Sequence, residues 1–298
     1  MKALASPKVS GLANFFVVGD RFVLDKTARD LGLRLSSTVV DLRNVMMKRF
    51  GYGKADPHLG RASVEYLDLA LELIGEGKAD CLVTAPVNKS SIRSSGLSDF
   101  EGHTEYLAHK TRSKEFAMMF VGGSFKITLV TRHIALKDVS ACLSADAICR
   151  AIGLTEKYLR KYFGLRRPKI GVAGLNPHAG ENGSFGKEEA RVIMPAIKKA
   201  SRRISGICGP IPPDVIFNQA QDGKFDAVIA MYHDQALIPF KLLHFKDGVN
   251  LTIGLPFIRT SPDHGTAFDI AGKGVADPTS MIEAIRLACR LSAKAAKN

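Results

Sequence analysis

The sequence predicts an α/β protein with a mixed sheet, and three observations carry that prediction. Short apolar runs alternate with stretches of helical periodicity, two of the runs flank a tight glycine turn, and four of them end in unusual polar clusters. In order along the chain, residues 14–18 and 80–84 are apolar and stopped by turn residues, so both read as strands. Between them, residues 60–74 place Leu and Ala at helical spacing. Residues 116–121 and 126–131 flank Gly122, Gly123 and Ser124, the signature of a hairpin. Ser144 is placed to cap a helix reaching about residue 162, residues 169–173 form a buried-type strand, and residues 187–201 are helical again. Residues 226–231 and 249–253 are further strands, and residues 279–294 form a closing amphipathic helix. No repeat, low-complexity tract or linker interrupts the pattern. Residues 1–298 therefore read as a single unit of two interleaved lobes.

Composition narrows the class. The 298 residues are 46% hydrophobic and 24% charged, with 27 Gly and 13 Pro, which excludes disorder, collagen and coiled coil. Lys and Arg number 42 against 29 Asp and Glu, a net charge of +13. The basic residues are dispersed and their short clusters lack interleaved aromatics, so they read as a solvated surface and no nucleic-acid partner is expected. No run reaches the roughly 18 apolar residues of a membrane span. Five widely spaced cysteines give neither a disulfide framework nor a thiolate zinc motif, and a cytoplasmic setting is the expectation.

The polar clusters carry the chemistry, because open α/β sheets bind ligands beyond the carboxyl ends of their strands. After residues 80–84 come Ala85, Pro86, Val87, Asn88 and Lys89, and after 126–131 come Arg132 and His133. Asn176-Pro177-His178-Ala179-Gly180-Glu181 follows residues 169–173, and Tyr232-His233-Asp234-Gln235 follows 226–231. One such histidine alone would read as a hydrogen-bonded loop residue. Three at equivalent strand ends, His133, His178 and His233, point to a divalent-metal site with an open position. His58 and His109 read as surface residues, and His244, between Lys241 and Lys246, as part of a basic loop.

Gly102-His103-Thr104-Glu105 opens a helix after a glycine, where backbone N–H groups receive an anion or Thr104 simply caps the turn. Lys241, Asn250 and Arg259 form the donor set that a phosphate or carboxylate requires, and Arg259 follows an apolar segment where an unpaired guanidinium is costly. Neither a G-x-G-x-x-G fingerprint nor a P-loop is present. Residues 264–274 instead form a run of small residues with a His and an Asp, able to let a nucleotide approach the backbone closely.

Taken in order, residues 84–89, 102–105, 176–181, 231–235 and 254–261 resemble the 4-hydroxythreonine-4-phosphate dehydrogenases of pyridoxal phosphate biosynthesis. The resemblance runs from about Phe15 to the C-terminus. It implies an isocitrate/isopropylmalate dehydrogenase-like α/β/α two-lobed subunit, and a homodimer with its active site at the subunit interface. By the same resemblance, His133, His178 and His233 match ligands of a divalent metal (zinc, magnesium or cobalt). His103, Thr104, Lys241, Asn250 and Arg259 match residues that bind a small phosphorylated substrate, and Asp214 matches an acidic residue near it. Asp234 is placed to orient a histidine or accept a proton. His264, Gly265, Thr266, Ala267 and Asp269 lie in a run that resembles the nucleotide loop of the isocitrate and isopropylmalate dehydrogenases and would hold NAD or NADP.

The implied reaction oxidises 4-phosphohydroxythreonine to 2-amino-3-oxo-4-phosphooxybutanoate, which decarboxylates to 3-amino-2-oxopropyl phosphate. The alternatives are a related dehydrogenase acting on a phosphorylated sugar acid or a dihydrodiol, and a non-catalytic metal-binding remnant. The family's N-terminal Gly-Asp-Pro-x-Gly-Ile-Gly-Pro-Glu segment has no counterpart here, so the chain reads as shortened at its N-terminus and weak nicotinamide binding is the expectation.

Overall fold

The computed structural model describes residues 1–46, 48 and 50–295. The chain divides into two compact units, Met1–Arg112 with Phe257–Arg290, and Ser113–Pro256 with Leu291–Asn298.

The first unit opens with strand β1 (Phe16–Gly19) and helix α1 (Arg21–Asp30), which starts where the Asp20 carboxylate accepts from Val23 N at 3.2 Å. Strand β2 (Thr38–Asp41) pairs parallel with β1. Helix α2 (Pro57–Gly75) begins at a proline preceded by the capping Asp56, a strong start signal because proline lacks the N–H that a first turn leaves unpaired. Strand β3 (Cys81–Val83) leads to α3 (Lys89–Ser94), capped by Asn88, and to α4 (His103–Lys110). Gly60 lets α2 lie directly on α3: a Cβ there would stand 2.3 Å from the Ser91 carbonyl.

The second unit begins with β4 (Ala117–Gly122) and β5 (Phe125–Leu129), the antiparallel hairpin that the glycine turn predicts. After the short α5 (Val139–Cys142), helix α6 (Ala145–Lys161) starts at Ser144, whose hydroxyl accepts from Ala147 N as the sequence indicates. Strand β6 (Ile170–Ala173) follows, then a kinked turn over Pro177–Gly183. A π-helical turn, Glu189–Ile193, runs into α7 (Met194–Ser201). Strand β7 (Ile207–Ile211), α8 (Pro213–Gln221), β8 (Ala227–Ala230), α9 (His233–His244) and β9 (Val249–Ile253) complete it. The strand order is β9-β4-β5-β8-β6-β7. Strands β5, β8, β6 and β7 are parallel, while β4 is antiparallel to both β9 and β5, so the sheet is mixed.

This sheet is covered on both faces, which is why its central strands are continuously apolar. Ile170, Val172 and Ile229 pack with Ile148, Ile152 and Leu159 of α6 and with Ile197 of α7. The alternate residues Val228 and Ala230 pack with Ile216 of α8 and with Leu237 and Phe240 of α9.

The chain then returns to the first unit. Strand β10 (Ile258–Pro262) pairs parallel with β3, and after the 3-10 turn Phe268–Ile270 comes α10 (Thr279–Ala295), which belongs to this unit as far as Arg290. Its Ile282 and Ile285 pack on Ala3 and Val9. No helix among the described residues is long and apolar enough to cross a membrane.

The predicted strands and helices are all present with small shifts at their ends, whereas β2, β7, β10, α1, α3, α5, α8 and α9 are additions. Strand β7 carries Gly209 and Pro210, which argue against a strand unless it lies at a sheet edge, where β7 does lie. Residues 187–201 are less regular than predicted, because the helix opens with the π turn. His244 requires a correction. It ends α9 rather than sitting in a basic loop, its ring packs against Phe125 and Phe240, and its Nδ1 lies 3.2 Å from the Asp247 carboxylate.

Candidate active site

The second unit presents the three histidines at the carboxyl ends of neighbouring parallel strands. His133 follows β5, His233 follows β8 and His178 follows β6, and these strands are adjacent in the order β5-β8-β6. Their ends are pinned together by side chains. Thr131 Oγ1 donates to the Met231 carbonyl at 2.6 Å. The Gln235 amide accepts from Met231 N at 2.6 Å and donates to the Gly174 carbonyl at 2.7 Å. Both side chains are buried, so the clamp is shielded from competing water.

His133 and His233 stand with ring centroids 5.7 Å apart. Two imidazoles bound to one ion through bonds of about 2.0–2.1 Å have centroids roughly 5–6 Å apart, so this pair fits a shared divalent cation. His233 Nδ1 lies 2.6 Å from Asp234 Oδ1. A carboxylate accepts, so Nδ1 is the donor in this pair, and in the neutral ring that leaves the Nε2 lone pair available to a ligand. His178 is exposed beside Phe185, with centroids 6.0 Å apart. Among the described residues no three His, Cys, Asp or Glu side chains converge on one point.

His178 sits in an uncommon backbone. It and Ala179, Glu181 and Asn182 have φ values of 52°, 54°, 39° and 57°, all left-handed, with Gly180 between them at 82°. Each non-glycine residue in that region costs about 1–2 kcal/mol, so the turn persists only because its surroundings fix it. The buried Glu189 is the principal anchor: its carboxylate accepts from Leu175 N and Asn176 N, both at 2.8 Å, and from Asn176 Nδ2 at 2.9 Å. Asp214 is exposed in the first turn of α8, where a carboxylate also complements the helix N-terminus. Lys241 lies on α9 and Asn250 on β9, and the Asn250 Oδ1 atom is buried without a hydrogen-bond partner.

The first unit holds a separate polar group. Arg259 of β10 is 2% exposed, and its Nη2 donates to Thr84 Oγ1 at 2.6 Å. Burial pushes the guanidinium down to about 10, partly offset by Glu105, so it stays charged at neutral pH. His103, at the start of α4, is lowered to about 3 by burial first and then by Arg259 and Lys89. A neutral imidazole therefore faces two cations. Thr104 is buried in the first turn of α4, and the N-cap position falls on Gly102 rather than on Thr104. A Cβ at Gly102 would stand 3.4 Å from Lys89 Cε and 3.2 Å from Glu105 Oε2.

A cavity of about 460 Å³ in the same unit is lined by His264, Gly265, Thr266 and Ala267, with Tyr52 and Asp30 also on its wall. Its size suits a small ligand. Asp269 lies in the 3-10 turn beside it, exposed and off the lining. The roles of Thr131, Glu189 and Gln235 have no local signal in the sequence, because each depends on a contact with backbone distant in the chain. Thr84 and Lys89 stood in plain view in the segment after β3, and their polarity at a strand end was the available signal.

The fold and the site define a class, and comparison with known proteins bears on it directly. A 4-hydroxythreonine-4-phosphate dehydrogenase from Desulfosudis oleivorans is 51% identical over 238 residues, covering 80% of this chain and 70% of that protein. A protein from Oceanobacillus iheyensis, provisionally named a D-threonate 4-phosphate dehydrogenase, is 41% identical over 310 residues, covering 98% and 92%. The crystal structure of 4-hydroxythreonine-4-phosphate dehydrogenase from Klebsiella pneumoniae superimposes with a TM-score of 0.89 at 38% identity, covering 98% of this chain and 92% of that one. The class is that of the α/β dehydrogenases, oxidoreductases whose chemistry calls for a nicotinamide cofactor. Within it, residues 11–288 match the sequence model of pyridoxal phosphate biosynthetic protein PdxA, and the chain belongs to the PdxA family.

Proposed function

We propose that this protein oxidises 4-phosphohydroxythreonine at its secondary alcohol, with NAD or NADP and a divalent ion held by His133, His178 and His233. The observation that carries the reading is the placement of these histidines beyond three adjacent parallel strands, with His133 and His233 at a spacing that fits one ion. When bound, the ion supplies Lewis-acid polarisation of the alcohol oxygen and the nicotinamide accepts the hydride.

The protein's own groups do the rest. Arg259 and Lys241 hold the anionic ends of the substrate, with His103, Thr104 and Asn250 supplying neutral hydrogen bonds. The neutral His103 leaves the positive potential of Arg259 and Lys89 for the ligand without adding a third charge to desolvate. Asp234 orients the His233 imidazole, and Asp214 is the candidate acceptor for the alcohol proton. His264, Gly265, Thr266 and Ala267 wall the cavity assigned to the cofactor, with Asp269 beside it. A homodimer with the active site at the subunit interface is supported by an apolar stripe on α9, where Ile238 and Leu242, with Phe245 just beyond, are 70%, 84% and 76% exposed.

The relative from O. iheyensis favours one second reading, in which the substrate is D-threonate 4-phosphate. Reduction of NAD⁺ or NADP⁺ with each substrate separates them. Our reading predicts the larger kcat/KM for 4-phosphohydroxythreonine, and a preference for D-threonate 4-phosphate would replace it.

A further inference from the structure

We propose that Glu189 is a positioning residue for His178: its carboxylate fixes the left-handed turn that carries this imidazole and thereby sets the affinity for a divalent ion. The inference rests on the metal reading of His133, His178 and His233 given above.

Glu189 is 6% exposed and opens the π turn Glu189–Ile193, a helical irregularity that recurs at functional sites. One carboxylate oxygen takes the N–H groups of Leu175 and Asn176, the residues that lead from β6 into the turn. The other takes the Asn176 side-chain amide, which Glu188 also holds at 2.8 Å, with Glu188 in turn accepting from Ser140 at 2.6 Å. The same carboxylate packs against the glycines on both sides of His178. A Cβ at Gly174 would lie 3.2 Å from Oε1, and one at Gly180 would lie 2.7 Å from Oε2.

Glu189 thus meets the segment before His178 and after it, leaving the turn little room to relax toward right-handed backbone. An acid suits this place because three N–H donors converge on it, and the two oxygens of a carboxylate accept all three. Without the anchor, the left-handed residues revert to cheaper conformations and the imidazole loses its direction. Residues that orient a ligand in this way typically change metal affinity by roughly 10- to 100-fold.

The test is a zinc titration of the intact protein against a chromophoric chelator, with thermal melts recorded by circular dichroism. Glu189→Ala should weaken zinc binding at least tenfold while the folded spectrum is kept. Glu189→Gln retains one oxygen for the two backbone N–H groups and should recover part of the loss. In a His178→Ala background, Glu189→Ala should add nothing further, which a merely structural role would not produce. Asn176→Ala, which removes the side-chain amide alone, provides the same readout if Glu189→Ala does not fold. Wild-type zinc affinity in folded Glu189→Ala, alongside weakened His178→Ala, overturns the inference and leaves the metal reading intact. Equal zinc affinity in wild type and His178→Ala overturns both.

Discussion

At the scale of single residues, the protein withholds two ionisable groups from water, one kept neutral and one kept charged. His103 shows the consequence. Its imidazole is pushed down to about 3 from an ordinary 6.5, by burial and then by Arg259 and Lys89. A depressed histidine pKa means that the unfolded chain takes up a proton that the folded chain refuses. Stability is therefore full above about pH 6.5 and falls as the pH drops from 6.5 toward 3. At about 1.4 kcal/mol per pH unit, this group alone removes about 2 kcal/mol between pH 6.5 and 5. Urea midpoints at pH 7 and pH 5 should show that loss in the wild type and a shallower one in His103→Gln; parallel curves would contradict it.

Arg259 is the second case. Its buried guanidinium is held by Thr84, and Arg259→Ala should cost roughly 2–4 kcal/mol in kcat/KM for a phosphorylated substrate, with Lys241→Ala behaving alike. The dephosphorylated analogue should lose less. Equal losses would mean that these cations hold the carboxylate instead.

At the scale of elements, legibility in the sequence followed local physics. The hairpin β4–β5, the Ser144 cap and the apolar strands β6 and β8 are specified by neighbours a few residues apart, and all were readable. Strand β10 was not, because Ile-Arg-Thr-Ser-Pro is a polar sequence whose strand character comes from pairing with segments such as β3, far away in the chain. The histidines were legible as chemistry at strand ends, and Arg259 as a charge that an apolar context makes costly to leave unpaired. Glu189, Gln235 and Thr131 were not, since each acts through a hydrogen bond to a distant backbone group.

Helix α9 has a different surplus, apolar side chains with no cover. Ile238, Leu242 and Phe245 recur at the spacing of one helical face. In sedimentation the 32.3 kDa chain should run as a dimer, and Leu242→Glu combined with Phe245→Glu should shift it to monomer without changing the melt. A monomeric wild type would refute the homodimer.

For the whole molecule, the two compact units carry different groups. One unit supplies the Arg259 group and the cavity beside residues 264–267, and the other supplies three strand ends pinned by Thr131 and Gln235. A net charge of +13 adds a positive field suited to anionic ligands. The claim at the centre is that a divalent ion at those strand ends makes the alcohol of a phosphorylated hydroxy acid oxidisable. The direct measurement follows nicotinamide reduction with 4-phosphohydroxythreonine in protein stripped by a chelator and then reloaded with zinc, magnesium or cobalt. The stripped protein should show negligible rate and recover on reloading, with no recovery in His233→Ala. Undiminished reduction by the stripped protein, or full recovery in His233→Ala, would contradict it.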